Sequence, residues 1–134
     1  NNIFSNNDVI VCLAPLTPAT KNMINKNHFN LLRDGAVFIN VSRGKIVNSD
    51  DLINALKTKK ITACLDVFDP EPIPVNSEIR NLHNVFLSPH IAGTTKKSRT
   101  RFFEEMVSEI YRHFSGEKTL HNITSSTIKN RRGY

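Results

Sequence analysis

The run Ala36-Val37-Phe38-Ile39-Asn40-Val41 constrains the fold more than any other segment of this chain. A strand that is almost continuously apolar is one covered on both faces, and such strands belong to parallel sheets. Parallel neighbours need long crossover connections, usually helical, and the sequence provides them. Val9-Ile10-Val11-Cys12-Leu13 reads as an earlier strand, followed by a Pro15-Leu16-Thr17-Pro18 turn. Asn25 is placed to cap a short helix through about Leu32, which Asp34-Gly35 ends. After the apolar run, Asn48 or Ser49 caps a helix whose Leu52, Ile53 and Leu56 share one stripe. Asp50 and Asp51 complement the dipole at its start, and Lys57, Lys59 and Lys60 lie at its other end. A third strand runs from Ile61 or Thr62 to Phe68, and Asn84 to Leu87 is a fourth, stopped by Pro89. This alternation predicts an α/β fold with a parallel sheet of about four strands and right-handed crossovers.

Between the last two strands, Pro70-Glu71-Pro72-Ile73-Pro74 is a loop, because its prolines remove backbone donors. A long helix is predicted over Lys97 to Phe114, with Phe102, Phe103, Met106, Val107, Ile110, Tyr111 and Phe114 on its apolar stripe and Gly116 as terminator. Periodicity stops near Glu117, so residues 1–116 read as one domain, including the long helix, and 117–134 as a polar, basic C-terminal tail. At 134 residues, 39% hydrophobic and 22% charged, the chain has the composition of a soluble globular domain. No apolar run approaches the roughly 20 residues of a membrane helix, and Asn1 to Ser5 carries no signal-peptide pattern. The cytoplasm is the expected compartment. A net charge of +6 suits either anion binding or scattered surface lysines with a basic end at Lys129-Asn130-Arg131-Arg132. With 7% aromatics, no tryptophan and no nucleic-acid motif, the second reading is favoured. Cys12 and Cys64 lie inside apolar runs with another strand between them, which disfavours a disulfide; without Cys-x-x-Cys spacing they signal no metal.

Four polar residues sit where apolar strands end or run, and ligands of open α/β sheets bind at the carboxyl ends of the strands. Arg43 follows the second strand and precedes Gly44, which allows a sharp turn. A guanidinium matches a carboxylate with paired donors, although a loop arginine can equally be an exposed one. His90, between Pro89 and Ile91-Ala92-Gly93, is suited to proton exchange near neutral pH; taken alone, a histidine so placed is more often structural. Glu71, wedged between Pro70 and Pro72, either orients such an imidazole or is an ordinary solvated glutamate. Asp66 lies inside an apolar strand, so it needs a partner, protein or ligand. His28, His83, His113 and His121 have no comparable setting and read as surface residues.

The chain resembles the D-isomer-specific 2-hydroxyacid dehydrogenases from about Asn7 to His121. The resemblance rests on Ala14-Pro15-Leu16-Thr17-Pro18, on Gly35 to Val47, on Asp66 to Pro72 and on Ser88 to Thr94. It implies the second half of a Rossmann-like doubly wound parallel sheet, with flanking helices and the long C-terminal helix that returns to a substrate domain. It further implies that Arg43 clamps the carboxylate and carbonyl of a small 2-oxo acid, that His90 exchanges the proton, and that Glu71 hydrogen-bonds His90 and keeps it protonated. Asp66 would hold the nicotinamide carboxamide of NAD or NADP, and Ala14, Pro15, Val41, Ser42, Arg43, His90 and Gly93 would line the cofactor cleft.

The chain departs from the family's pattern in one respect. Its glycines, at 35, 44, 93, 116 and 133, cannot form the Gly-x-Gly-x-x-Gly loop that opens a dinucleotide fold. The resemblance therefore implies a missing N-terminal half of the same enzyme, an open edge on the Val9 strand, and weak NAD(H) binding by the fragment alone. The full-length parent would be a homodimer. A competing reading is a catalytically incomplete relic, or a scaffold or corepressor-like module, that uses the half-sheet for protein association. A third is an anion- or nucleic-acid-binding module built on the basic surface.

Overall fold

The computed structural model describes residues 2–131. Strands β1 (Val9–Cys12), β2 (Val37–Asn40), β3 (Thr62–Leu65) and β4 (Val85–Leu87) form one parallel sheet in the order β1-β2-β3-β4. Around them lie α1 (Asn2–Asn6), α2 (Lys26–Phe29), α3 (Ser49–Thr58), α4 (Lys96–Phe114) and α5 (Ser125–Arg131). Cys12, Asn40, Leu65 and Leu87 share one row of the register. All four strands therefore finish at the same rim.

The sheet's inward row, Ile10, Phe38 and Ala63, joins Phe29 of α2 and Leu52, Ala55 and Leu56 of α3 in one buried cluster. Phe29 and Phe38 meet edge to face with centroids 5.4 Å apart, a favoured aromatic geometry. On the other side, Ile39 and Cys64 are half-buried, while Val11 and Phe86 are exposed. Cover on both faces of β2 was the expectation; among the described residues it exists on one. The apolar stripe of α4 is likewise exposed throughout, from Phe102 to Phe114.

Helix ends obey the local chemistry. The Asn48 carboxamide accepts the Asp51 N–H at 3.0 Å and caps α3. Asp51 in turn accepts the Lys26 N–H at 3.0 Å, so the first turn of α3 holds the start of α2. Asn25 caps α2 as expected, but the helix ends at Phe29 rather than near Leu32. The ammonium of Lys59 holds the chain at and beyond that end, donating to the carbonyls of Phe29, Asn30 and Leu32 at 3.0, 3.0 and 2.7 Å. Gly35 then turns back with a left-handed φ of 85°. Past α4, Gly116 takes φ 74°, and the Glu117 N–H reaches back to the Arg112 carbonyl at 2.9 Å, the paired bonding of a Schellman end.

One expectation needs correction, and two elements were not foreseen. The N-terminus forms α1, whose Phe4 is buried against the ring of His28 at 5.0 Å. His28 is accordingly half-buried and completes the cap of α2 with Asn25, unlike the exposed His83, His113 and His121. The segment after Glu117 also carries structure. Glu109 accepts the Leu120 and His121 N–H groups, which hold its carboxyl below the usual range and pin the chain before α5. The basic run expected at 129–132 falls partly outside the described residues.

Replacing Lys59 by Met keeps the aliphatic stem and removes the ammonium's bonds to three carbonyls, of which that of Phe29 keeps the Leu32 N–H. Urea denaturation is expected to show a loss of about 1–2 kcal/mol. Lys57→Met, which removes only an exposed pair with Glu78, is expected to cost less than about 1 kcal/mol.

Candidate active site

The rim where the strands finish is shaped first by Asn40, the last residue of β2. Its side chain shares the inward side with Phe38 and is 1% exposed. A buried carboxamide must be hydrogen-bonded. Oδ1 accepts the Ser42 N–H at 3.1 Å and the Ser42 hydroxyl at 3.2 Å, while Nδ2 donates to the Arg43 carbonyl at 3.1 Å. The chain therefore turns immediately after the strand and carries Arg43 to the rim. There the Arg43 Nη1 donates to the Ser42 carbonyl at 2.7 Å.

Gly44 is needed for a different reason from a sharp turn. A Cβ there would lie 1.8 Å from the Phe68 carbonyl oxygen. The loop after β2 is thus pressed against the loop after β3, which continues to Glu71. Only a residue without a side chain permits that approach.

Asp66 lies one residue beyond β3, not inside it, and is 3% exposed. Its N–H donates to the Asn40 carbonyl at 3.0 Å. Its carboxylate spans to the β4 loop: Oδ1 accepts the Ser88 hydroxyl at 2.5 Å and the Ile91 N–H at 2.9 Å, and Oδ2 accepts the Ala92 N–H at 2.9 Å. Burial pushes this carboxyl up. The Ser88 hydroxyl, the Ala92 and Ile91 N–H groups and the His90 charge together outweigh that, and the group ends below the usual carboxylate range.

The grip on Ser88, Ile91 and Ala92 brackets His90, which adopts φ 55°. A non-glycine residue in the left-handed region is uncommon and persists where its surroundings over-determine it. The imidazole Nδ1 lies 2.6 Å from Glu71 Oε1, with both side chains partly exposed. β2 and β4 flank β3, so at the usual strand spacing their ends are about 10 Å apart. Arg43 and His90 each come three residues after those ends.

A cleft of about 420 Å³ opens beside this rim, lined by Leu13 to Leu16 and Val41 to Arg43. It gathers Ala14, Pro15, Val41, Ser42 and Arg43. Asp66, His90 and Gly93 lie outside its walls. Gly93 sits on the exposed approach to α4, where its carbonyl accepts the Ser98 hydroxyl at 2.8 Å. The contacts of Asn40 and Ser88 were not anticipated. Asn40 carried a readable signal, a polar residue at the inward parity of a buried strand; Ser88 carried none, because its partner comes from another strand. Among the described residues no cluster of three His, Cys, Asp or Glu side chains is placed to hold a metal, and no helix is long and apolar enough to cross a membrane.

The family model described as "D-isomer specific 2-hydroxyacid dehydrogenase, NAD binding domain" matches residues 1–92. The chain belongs to this family. It is 47% identical over 93 residues to a human glyoxylate reductase/hydroxypyruvate reductase, covering 69% of this chain and 28% of that protein. A solved D-isomer specific 2-hydroxyacid dehydrogenase from Xanthobacter autotrophicus Py2, in complex with NADPH and MES, superposes with TM-score 0.80 at 37% identity, over 98% of this chain and 52% of its own. D-lactate dehydrogenase with NAD+ from Lactobacillus jensenii superposes with TM-score 0.84 at 28% identity, over 92% and 41%. The chain spans 28% to 36% of the length of the curated relatives it matches. Its α/β parallel sheet is that of the dehydrogenase NAD-binding domains.

Asp66→Asn would turn an amide toward donors that need an acceptor, at an expected cost of about 2–4 kcal/mol near neutral pH. A carboxyl lowered on folding stabilises fully above its unfolded value, about 3.9, and loses that contribution as pH falls through the folded value. The stability gap between wild type and variant, from denaturant titrations across pH, is therefore expected to be flat above about pH 5 and to shrink below about pH 4. A gap that persists unchanged into acid contradicts the assignment.

Proposed function

We propose that this chain is the part of an NAD(P)-dependent 2-hydroxyacid dehydrogenase that carries its substrate clamp and its proton donor. The reaction is reduction of a small 2-oxo acid to the D-2-hydroxy acid, and its reverse. The observation that carries this reading is the His90–Glu71 contact at 2.6 Å on the rim that also receives Arg43.

The cleft beside β1 and β2 fits a nicotinamide cofactor in kind, with Leu13, Ala14, Pro15, Leu16 and Val41 as apolar walls and Ser42 and Arg43 as its polar edge. NAD or NADP, when bound, supplies the hydride. Asp66 is a candidate for the cofactor's carboxamide only through acceptor capacity left over from its three protein donors. Gly93 is retained as a cofactor contact on resemblance alone.

The residues of the chain would then divide the remaining work. Arg43 holds the 2-oxo acid's carboxylate through paired donors and stabilises negative charge developing on its carbonyl oxygen. Glu71 accepts a hydrogen bond from His90 Nδ1–H, which fixes the ring and leaves Nε2 to give a proton to the carbonyl oxygen or take it back. The open β1 edge, with Val9 and Val11 exposed, supports a further part of the same enzyme pairing there. A homodimer of the full-length protein and a cytoplasmic location rest on the resemblance alone.

The test uses the full-length protein and loss of NADH or NADPH absorbance with glyoxylate, hydroxypyruvate or pyruvate. His90→Ala is expected to lower kcat by about 10²–10⁴-fold, and Arg43→Ala to raise KM for the 2-oxo acid. Consumption of no 2-oxo acid, or full activity in His90→Ala, overturns the proposal.

A further inference from the structure

We infer that Asn40 is the positioning residue for the Arg43 guanidinium, an inference that rests on Arg43 binding the 2-oxo acid as proposed above. The buried carboxamide holds the Ser42 N–H, the Ser42 hydroxyl and the Arg43 carbonyl, all between 3.1 and 3.2 Å. It therefore closes the backbone on both sides of the Ser42–Arg43 peptide bond. The guanidinium is held in turn by the carbonyl of Ser42, at 2.7 Å from Nη1. Tilting the Ser42 peptide moves that carbonyl, and the guanidinium moves with it. The Ser42 hydroxyl also meets the Cys12 thiol at 3.4 Å, which steadies it from the β1 side.

The residue type is specified by this bonding. An apolar side chain would take the acceptor from the Ser42 N–H and leave the Arg43 carbonyl only the longer bond from the Ile46 N–H, at 3.4 Å. Aspartate keeps the acceptor but has no donor for the Arg43 carbonyl when ionised. Asn40 also reaches the other half of the site through its backbone: its carbonyl accepts the Asp66 N–H at 3.0 Å, and Asp66 grips the two residues after His90. That second link belongs to the main chain and survives substitution at position 40. A side-chain replacement should therefore disturb Arg43 while leaving the His90 arm in place.

The experiment compares wild type, Asn40→Asp, Asn40→Ala and Arg43→Ala in the full-length protein, each alone and with the Asn40 changes combined with Arg43→Ala. It measures glyoxylate KM, oxamate dissociation in the presence of NADH, NADH dissociation, the pH profile of turnover and the melting temperature. Asn40→Asp is expected to raise glyoxylate KM and the oxamate dissociation constant by about 10–100-fold, as a displacement near 1 Å does. NADH dissociation, which Val41 and Ser42 of the same loop border, shifts by less than the oxamate constant does, and the pH profile keeps its wild-type position. In the Arg43→Ala background the Asn40 changes are expected to weaken oxamate binding by less than about twofold, because both act through one group. Effects that multiply independently, or a lowered melting temperature with unchanged KM, overturn the inference. If wild type neither turns over a 2-oxo acid nor binds oxamate, the functional proposal fails, and amide hydrogen exchange then reads Asn40 separately. Faster exchange in Asn40→Asp confined to residues 42–44 supports its hold on the Arg43 loop; unchanged exchange there refutes it.

Discussion

Asp66 joins three strand ends that would otherwise be independent loops. Its backbone N–H is fixed to Asn40 at the end of β2, and its side chain takes the Ser88, Ile91 and Ala92 donors beyond β4. A charge this deeply buried is costly unless every such bond is made. Made together, the bonds set the left-handed turn at His90 and aim its ring at Glu71. Gly44 contributes from the other direction, since its missing side chain lets the Arg43 loop lie on the Phe68 backbone. The result is a rim in which an arginine, an imidazole and a carboxylate arrive from three loops with little freedom to part.

The parallel register explains why so few contacts are enough. Four strands ending on one row put every succeeding loop at the same level. Arg43, Asp66 and His90 then need only a short turn to reach the rim, three residues after β2, one after β3 and three after β4, while Glu71 comes six residues after β3. Buried hydrogen bonds, rather than long ordered loops, do the final placing. Elsewhere the fold is less closed. The uncovered sheet face and the exposed stripe of α4 carry large apolar side chains such as Phe86, Phe102 and Phe114. The relatives extend well beyond the region that this chain matches.

Much of this was readable from the residues, for definite reasons. The largely apolar run from Ala36 to Val41 announced β2, and the turn glycines Gly35 and Gly116 marked the ends where left-handed backbone is required. The long stripe of α4 was legible in its period, although its exposure was not. What stayed hidden depends on contacts distant in sequence. Asp66 falls outside β3 because its partners are on other strands, and Gly44 is fixed by a backbone contact that only the folded chain creates. Helix α1 is five residues long and owes its place to Phe4 burying against His28; helices of that length have little stability of their own. The cleft residues Ala14, Pro15, Val41 and Ser42 were found together, whereas Gly93 was not.

The central claim is that Arg43 and His90 address one small anion from two sides of β3. Its most direct test is a crystal structure of the full-length protein with NADH and oxamate, the unreactive analogue of a 2-oxo acid. The Arg43 guanidinium is expected on the oxamate carboxylate and His90 Nε2 within hydrogen-bond distance of its carbonyl oxygen, with Glu71 still bonded to Nδ1. Oxamate bound by only one of the two, or bound elsewhere on the molecule, would contradict it.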